Sequence, residues 1–228
     1  WQQKLAPHQA AMEAAMAERA GAPYRARQVS FHTPDFIDIV VNAGDDRSAL
    51  GATIGQSLPN WGPVADQGRS RTVAMTNLYK DTDNIESRHR QAASLFDQGT
   101  MASYTDDATP SLLNSILHEI THNLGPAHEY RVHGRTDAAV FGGPIASMLE
   151  ELKAQTGALY FLRYLRAQGL IDDAAVAHGY AEDITWAMGH ISRGMYTGSG
   201  ARAAYGNLAA IQVGLLLDAG ALSWEADA

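Results

Sequence analysis

His118, Glu119 and His122 stand in the string His118-Glu119-Ile120-Thr121-His122, and that spacing is the plainest chemistry in the chain. On a helix, positions four apart lie on one face, one turn from each other. Two imidazoles so placed hold one zinc ion, and the carboxylate between them reaches a water on that ion. The five-residue string also occurs by chance, so its weight comes from its setting. Upstream, Thr109-Pro110 supplies a helix start, with Thr as N-cap and Pro at the first helical position. Downstream, Gly125-Pro126 supplies a stop.

A hydrolytic zinc needs a third protein ligand and an open position for water. One route to it is His128. His118, His122, Gly125 and His128 together meet the metzincin spacing, in which the glycine turns the chain back toward the metal. That reading also needs a later Met-turn, for which Met195-Tyr196 is available, and it has to accommodate Pro126 directly after the glycine. The other route is Glu151, with Glu150 beside it. The pair lies in a predicted helix among Met148, Leu149, Leu152 and Leu159. A carboxylate buried without a partner costs several kcal/mol or shifts its pKa, and a zinc ion removes that problem. One turn beyond lies Gln155, whose side-chain oxygen can accept the outer N–H of a liganding histidine.

Composition narrows the rest. A net charge of −8 and the lack of a basic run argue against a nucleic-acid groove. No apolar run is long enough to span a membrane. The absence of cysteine removes disulfides, thiol nucleophiles and thiolate metal sites, and leaves the compartment open. The first residue is Trp1 and no signal peptide is visible, so the expectation is a processed or excised piece of a longer protein.

The elements that must position these residues follow from pattern. Residues 8–19 are Ala- and Met-rich and read as a helix ended by Gly21 and Pro23. Residues 36–41 and 72–77 read as short strands, separated by a Gly- and Pro-rich irregular loop at 51–68. A helix over 85–96 has Asp83 or Asn84 as its cap, and 98–108 is a polar loop. Pro144 opens a long helix to about 169, and Asp172 or Asp173 caps another to about 193. After a Gly-rich turn, residues 207–219 are apolar nearly all round and are expected to be buried. The fold class is therefore mainly α with a small β-sheet toward the N-terminal side. Residues 1–108 form an N-terminal helix and small sheet with long loops, and residues 109–228 a helical zinc-binding region.

Five blocks carry a resemblance to a known family: Ser57-Leu58-Pro59-Asn60, RTVAMTNLY from Arg71, HEITHNLGP from His118, EELKAQTGAL from Glu150 and GNLAAIQVGLLLDAG from Gly206. In this order they resemble the dipeptidyl peptidase III family, and more closely its shorter bacterial relatives. The resemblance implies a gluzincin, a two-helix zinc peptidase in which the second Glu of the second block, Glu151, completes one Zn2+ site per chain. It departs from the family in three places. Dipeptidyl peptidase III itself has one residue more between its histidines, whereas the short relatives share the spacing seen here; Gln155 stands where the family has an acid; and Tyr205 stands nearest to where the family often has a transition-state-stabilising His. The acid pair and the later blocks favour Glu151 over His128, which then becomes a loop residue near the cleft.

The expected reaction is peptide-bond hydrolysis, with Glu119 as general base. Tyr205, His190 and Tyr196 are candidate donors to the oxyanion. His190, close to Trp186 and Met188, also reads as an ordinary half-buried histidine. Strand 72–77 can offer its edge to an extended peptide, with Asn77 anchoring a substrate terminus. The expected partners are a peptide substrate and the remainder of a precursor. Two other classes stand beside this one: a metzincin endopeptidase using His128, and a non-catalytic metal-binding domain.

Overall fold

Ala- and Leu-rich periodic stretches make helix the local default, and the computed structural model, which describes residues 1–40, 55–58, 71–127 and 130–225, is mostly helical. The chain opens with α1 (Gln2–Leu5), a 3-10 turn (Ala6–His8) and α2 (Gln9–Ala20). Strands β1 (Asp35–Ile37), β2 (Gly55–Leu58) and β3 (Arg71–Met75) follow. The remaining helices are α3 (Thr76–Lys80), α4 (Thr82–Leu95), α5 (Gln98–Met101), α6 (Thr109–His122), α7 (Asp137–Phe141), α8 (Gly143–Ala167), α9 (Asp173–Ser192) and α10 (Ala204–Asp218).

The sheet has the order β1-β3-β2. Phe36 is paired with Ala74 in a parallel ladder, and Gln56 with Val73 in an antiparallel one. Strand β3 is therefore central, which overturns the expectation that it offers an edge to a peptide. Both strands are also shorter than expected. The ladder stops at Met75 because side chains take over from backbone: the Asn77 amide accepts from Ile39 N at 3.0 Å and donates to Ile39 O at 2.8 Å. Thr76 Oγ1 donates to Asp38 Oδ1 at 2.6 Å, and the chain turns into α3.

The core is set by burial rather than by helix caps. Helix α6 has no side-chain cap; Ala108 holds the cap position, and Asp107, not Thr109, supplies the local bond, to Thr109 N at 2.6 Å. A cap is worth about 1 kcal/mol. Against that, Leu113, Ile116, Leu117 and Ile120 are buried along one stripe of α6, each contributing about 2 kcal/mol of transfer free energy. They meet Phe161, Leu162 and Leu165 of α8, and Leu5, Met12, Met16 and Phe31 from the N-terminal segment.

Helices α6, α8 and α9 pack against one another, and α10 lies on α8 and α9. Helix α4 is capped by Asp81, one turn earlier than Asn84, and 98–101 within the expected loop is helical, capped by Asp97. Only one face of α10 is covered. Leu208, Ala209 and Gln212 are buried, but Ile211, Leu215 and Leu217 are 39–58% exposed, so an apolar circumference did not imply full burial.

Helices α6 and α8 approach each other closely at Gly157. A Cβ there would lie 2.4 Å from Thr121 Cγ2, and Thr121 is held by its own bond to Leu117 O at 2.6 Å. A glycine at that position lets the polar residues of the two helices meet. No helix among the described residues is long and apolar enough to cross a membrane.

Candidate metal centre

His118 and His122 occupy one face of α6, as their spacing requires, and α8 presents Glu150, Glu151 and Gln155 to that face. The ring Nε2 atoms of the two histidines lie 3.1 Å apart. Glu151 Oε2 is 3.4 Å from His118 Nε2, and Glu151 Oε1 is 3.9 Å from His122 Nε2. Zn–N distances of about 2.0–2.1 Å put two nitrogens about 3.3 Å apart across a tetrahedron, close to the 3.1 Å between the two Nε2 atoms.

Proton placement agrees with this spacing. His118 Nδ1 is 2.9 Å from Gln155 Oε1, and His122 Nδ1 is 3.1 Å from Glu150 Oε1. Both partners are acceptors there, which assigns a proton to each Nδ1 in the neutral rings. The two Nε2 lone pairs then face each other and a carboxylate. Such a convergence suits a cation. Among the described residues, His118, His122 and Glu151 are the three whose ligand atoms all lie within 4.8 Å of one another.

Each ligand is braced. Glu150 also pairs with Lys153 at 2.9 Å, and Lys153 donates to the Leu124 and Pro126 carbonyls at 3.0 Å each, tying α8 to the end of α6. Gln155 Nε2 donates to Asp183 Oδ1 of α9 at 2.6 Å, and Asp183 also accepts from Gln212 of α10. Asp183 is 2% exposed, and burial pushes its carboxyl up to about 7 against the pull of those two amides. On the other side, buried Glu13 of α2 accepts from Gly125 N at 2.8 Å and from Tyr24 Oη at 2.6 Å. Gly125, at φ +69°, makes the turn that leads out of α6.

The remaining predicted residues are distributed around this cluster. Glu119 is half-buried, and no hydrogen bond or ion pair to a described residue engages its carboxylate. Tyr205 Oη donates to Glu151 Oε2 at 3.1 Å. Desolvation, followed by the Glu151 charge, raises the Tyr205 pKa well above the ordinary phenol value, so it is a donor at neutral pH.

His190 packs between Trp186, at 4.5 Å, and Tyr205, at 5.3 Å between ring centroids, and burial then Arg193 lower its pKa to about 4. Tyr196 is 61% exposed, in a bridge with Arg202. Asn77 lies on α3 with both amide atoms engaged by Ile39. His128 lies outside the described residues, as do Pro59 and Asn60.

Sequence reading missed Asp183, Gln212, Lys153 and Glu13. A usable signal existed for Asp183: an acid among Ala181, Ile184 and Ala187, the same anomaly that marked Glu150 and Glu151.

Protons compete with a metal for His118. Burial disfavours its charged form, but the Glu151 hydrogen bond and the Glu119 and Glu151 charges outweigh this, so its pKa lies above 6.5. In the metal-free chain, the stability this raised pKa contributes is full below 6.5 and is lost as pH rises through the folded value. For zinc binding the sign is opposite. Affinity should fall as pH drops through that folded value, by about tenfold per unit for one displaced proton. Zinc titrations between about pH 5.5 and about pH 8.5 measure this, and the decline should begin above 6.5.

Fold and donor set together define a helical protein with a small sheet and a two-helix His-His-Glu cluster able to hold a metal ion. A solved structure shares that fold: DPP III from Caldithrix abyssi superposes with a TM-score of 0.77 over 99% of this chain, at 19% sequence identity. The chain spans 41% of that protein's length. No family model and no curated protein matches the sequence.

Proposed function

We propose that this chain carries the zinc site of a peptidase related to dipeptidyl peptidase III, with His118, His122 and Glu151 as ligands and Glu119 as general base. One observation carries the reading: the ligand atoms of His118, His122 and Glu151 lie within 4.8 Å of one another, while no hydrogen bond or ion pair to a described residue engages the carboxylate between the two histidines. The fold shared with DPP III supports it, and peptide as substrate class is taken from that likeness.

Zinc, when bound there, supplies Lewis acidity that brings a water's pKa toward about 7 and polarises a carbonyl. The chain's own groups do the rest. Glu119 accepts the proton of the attacking water and returns it to the departing amine. Tyr205, whose O–H reaches Glu151 Oε2 in the metal-free chain, turns it to the carbonyl oxygen as that oxygen becomes negative, a contribution of about 3 kcal/mol for such donors. Gln155 and Glu150 hold the Nδ1 protons of the two histidines and so keep both Nε2 atoms bare. Trp186 and His190 form an aromatic wall beside Tyr205 that fixes its ring. In this reading any residues completing a substrate cleft lie in further chain or a partner segment.

The test is metal dependence. The protein as it exists should carry one zinc per chain, hydrolyse short peptides, lose that activity on chelation and regain it with added zinc. A chain that binds no zinc would overturn the reading. Full zinc occupancy with no hydrolysis would leave a non-catalytic metal domain in its place.

A further inference from the structure

We propose that Asp183 is a positioning residue for the metal centre, acting through the Gln155 amide on His118. This rests on the zinc reading above and goes beyond it, because Asp183 touches none of the three ligands. Gln155 has one acceptor end and one donor end, and they point in opposite directions: Oε1 to His118 Nδ1 at 2.9 Å and Nε2 to Asp183 Oδ1 at 2.6 Å.

Both Asp183 oxygens already face amide N–H groups, one from Gln155 and one from Gln212, and in its ionised form, which a nearby cation favours, the carboxylate can only accept. Asp183 therefore fixes which way the amide faces, and the amide in turn fixes the proton on His118 Nδ1. Rotating that amide by half a turn would aim an N–H at Nδ1, move the ring proton to Nε2 and remove the lone pair that faces His122 and Glu151. Gln212 holds the other carboxylate oxygen, so Asp183 itself cannot turn.

Charge gives a second reason. Asp183 is buried on α9, and no lysine or arginine among the described residues pairs with it. Buried anions without a cation are costly. With Glu150 paired to Lys153, Glu151 and the ionised form of Asp183 add negative charge to that of Glu119 around His118, and a divalent ion offsets it. An acid at position 155 would reach His118 directly; here the carboxylate is displaced by one residue and connected through an amide.

The experiment compares zinc affinity, by competition with a chromophoric chelator, for the parent, Asp183→Asn and the double variant Gln155→Glu with Asp183→Asn. Asparagine keeps the shape, and the buried Gln212 Oε1, which has no hydrogen-bond partner among the described residues, can accept from its new amide once the Gln212 amide turns. Zinc-free melting of Asp183→Asn should therefore stay near the parent, while zinc Kd weakens by about tenfold, the lower end for groups that orient a ligand. The double variant returns the carboxylate to His118's side and should bind within about threefold of the parent.

Unchanged zinc affinity in Asp183→Asn overturns the proposal, and so does a loss that the double variant fails to restore. If Asp183→Asn does not fold, the double variant alone decides: near-parent affinity supports the relay, and a tenfold loss refutes it. A parent that binds no zinc sinks the metal reading and this inference with it. A parent that binds zinc while Asp183→Asn binds it equally well sinks only this inference.

Discussion

Glu119→Gln should leave zinc bound and reduce peptide hydrolysis by about 10²- to 10⁴-fold, the usual contribution of a positioned general base. The substitution keeps the volume and removes the proton acceptor. It leaves no buried partner unpaired, because no hydrogen bond or ion pair to a described residue engages the Glu119 carboxylate. Stability should therefore move by no more than about 0.5 kcal/mol, as for other half-exposed positions without a network.

The metal should remain because Glu119 lies outside the three converging donors. Its charge is one of the influences that raise the His118 pKa, so the variant's zinc site should resist protons slightly better than the parent's. The readouts are zinc content by elemental analysis and initial rates on a short peptide. Parent-like hydrolysis in this variant would refute the catalytic role of Glu119 whatever the metal content.

The parts of this site that were legible in the sequence are those with short-range rules. An i, i+4 histidine pair needs only a helix, and the Thr-Pro start and Gly-Pro stop bracket one. Glu150 and Glu151 stood out because acids among Met and Leu demand an explanation, and the structure puts them against His122 and His118. The resemblance also located Gln155 as a substituted acid, but its effect was not readable, because what lies behind it comes from α9 and α10, 28 and more residues further along the chain.

The same limit applies to Glu13, whose bond to Gly125 spans 112 residues. Strand limits failed for another reason. The β-propensity of 72–77 is real, but Asn77 and Thr76 carry side chains that imitate backbone donors and acceptors, and these end the ladder at Met75. In α10, apolar periodicity had no polar face to set against, so it gave burial on both sides where neighbours cover one.

Glu151→Ala should release zinc. Structural zinc binding of about 10–16 kcal/mol spread over four ligands is roughly 2.5–4 kcal/mol for each, so losing one weakens affinity by about 10²- to 10³-fold. The geometry makes Glu151 hard to replace. Its two oxygens lie 3.4 and 3.9 Å from the two Nε2 atoms, and Tyr205 donates to the nearer one, fixing the carboxylate toward the histidines. Water can fill the vacated corner but brings no charge. The zinc-free protein changes too: Glu151 supplies a hydrogen bond and a charge that raise the His118 pKa against burial, so without it that pKa moves down and the stability it contributes below 6.5 shrinks.

His128→Ala supplies the contrast. If the metzincin spacing governs the site, that variant releases zinc and Glu151→Ala retains it; the Glu151 assignment requires the reverse. Zinc stoichiometry after gel filtration, measured on both variants at one pH, separates the two. Loss only in His128→Ala would transfer the third ligand from α8 to the segment that follows Gly125, and with it the class of peptidase.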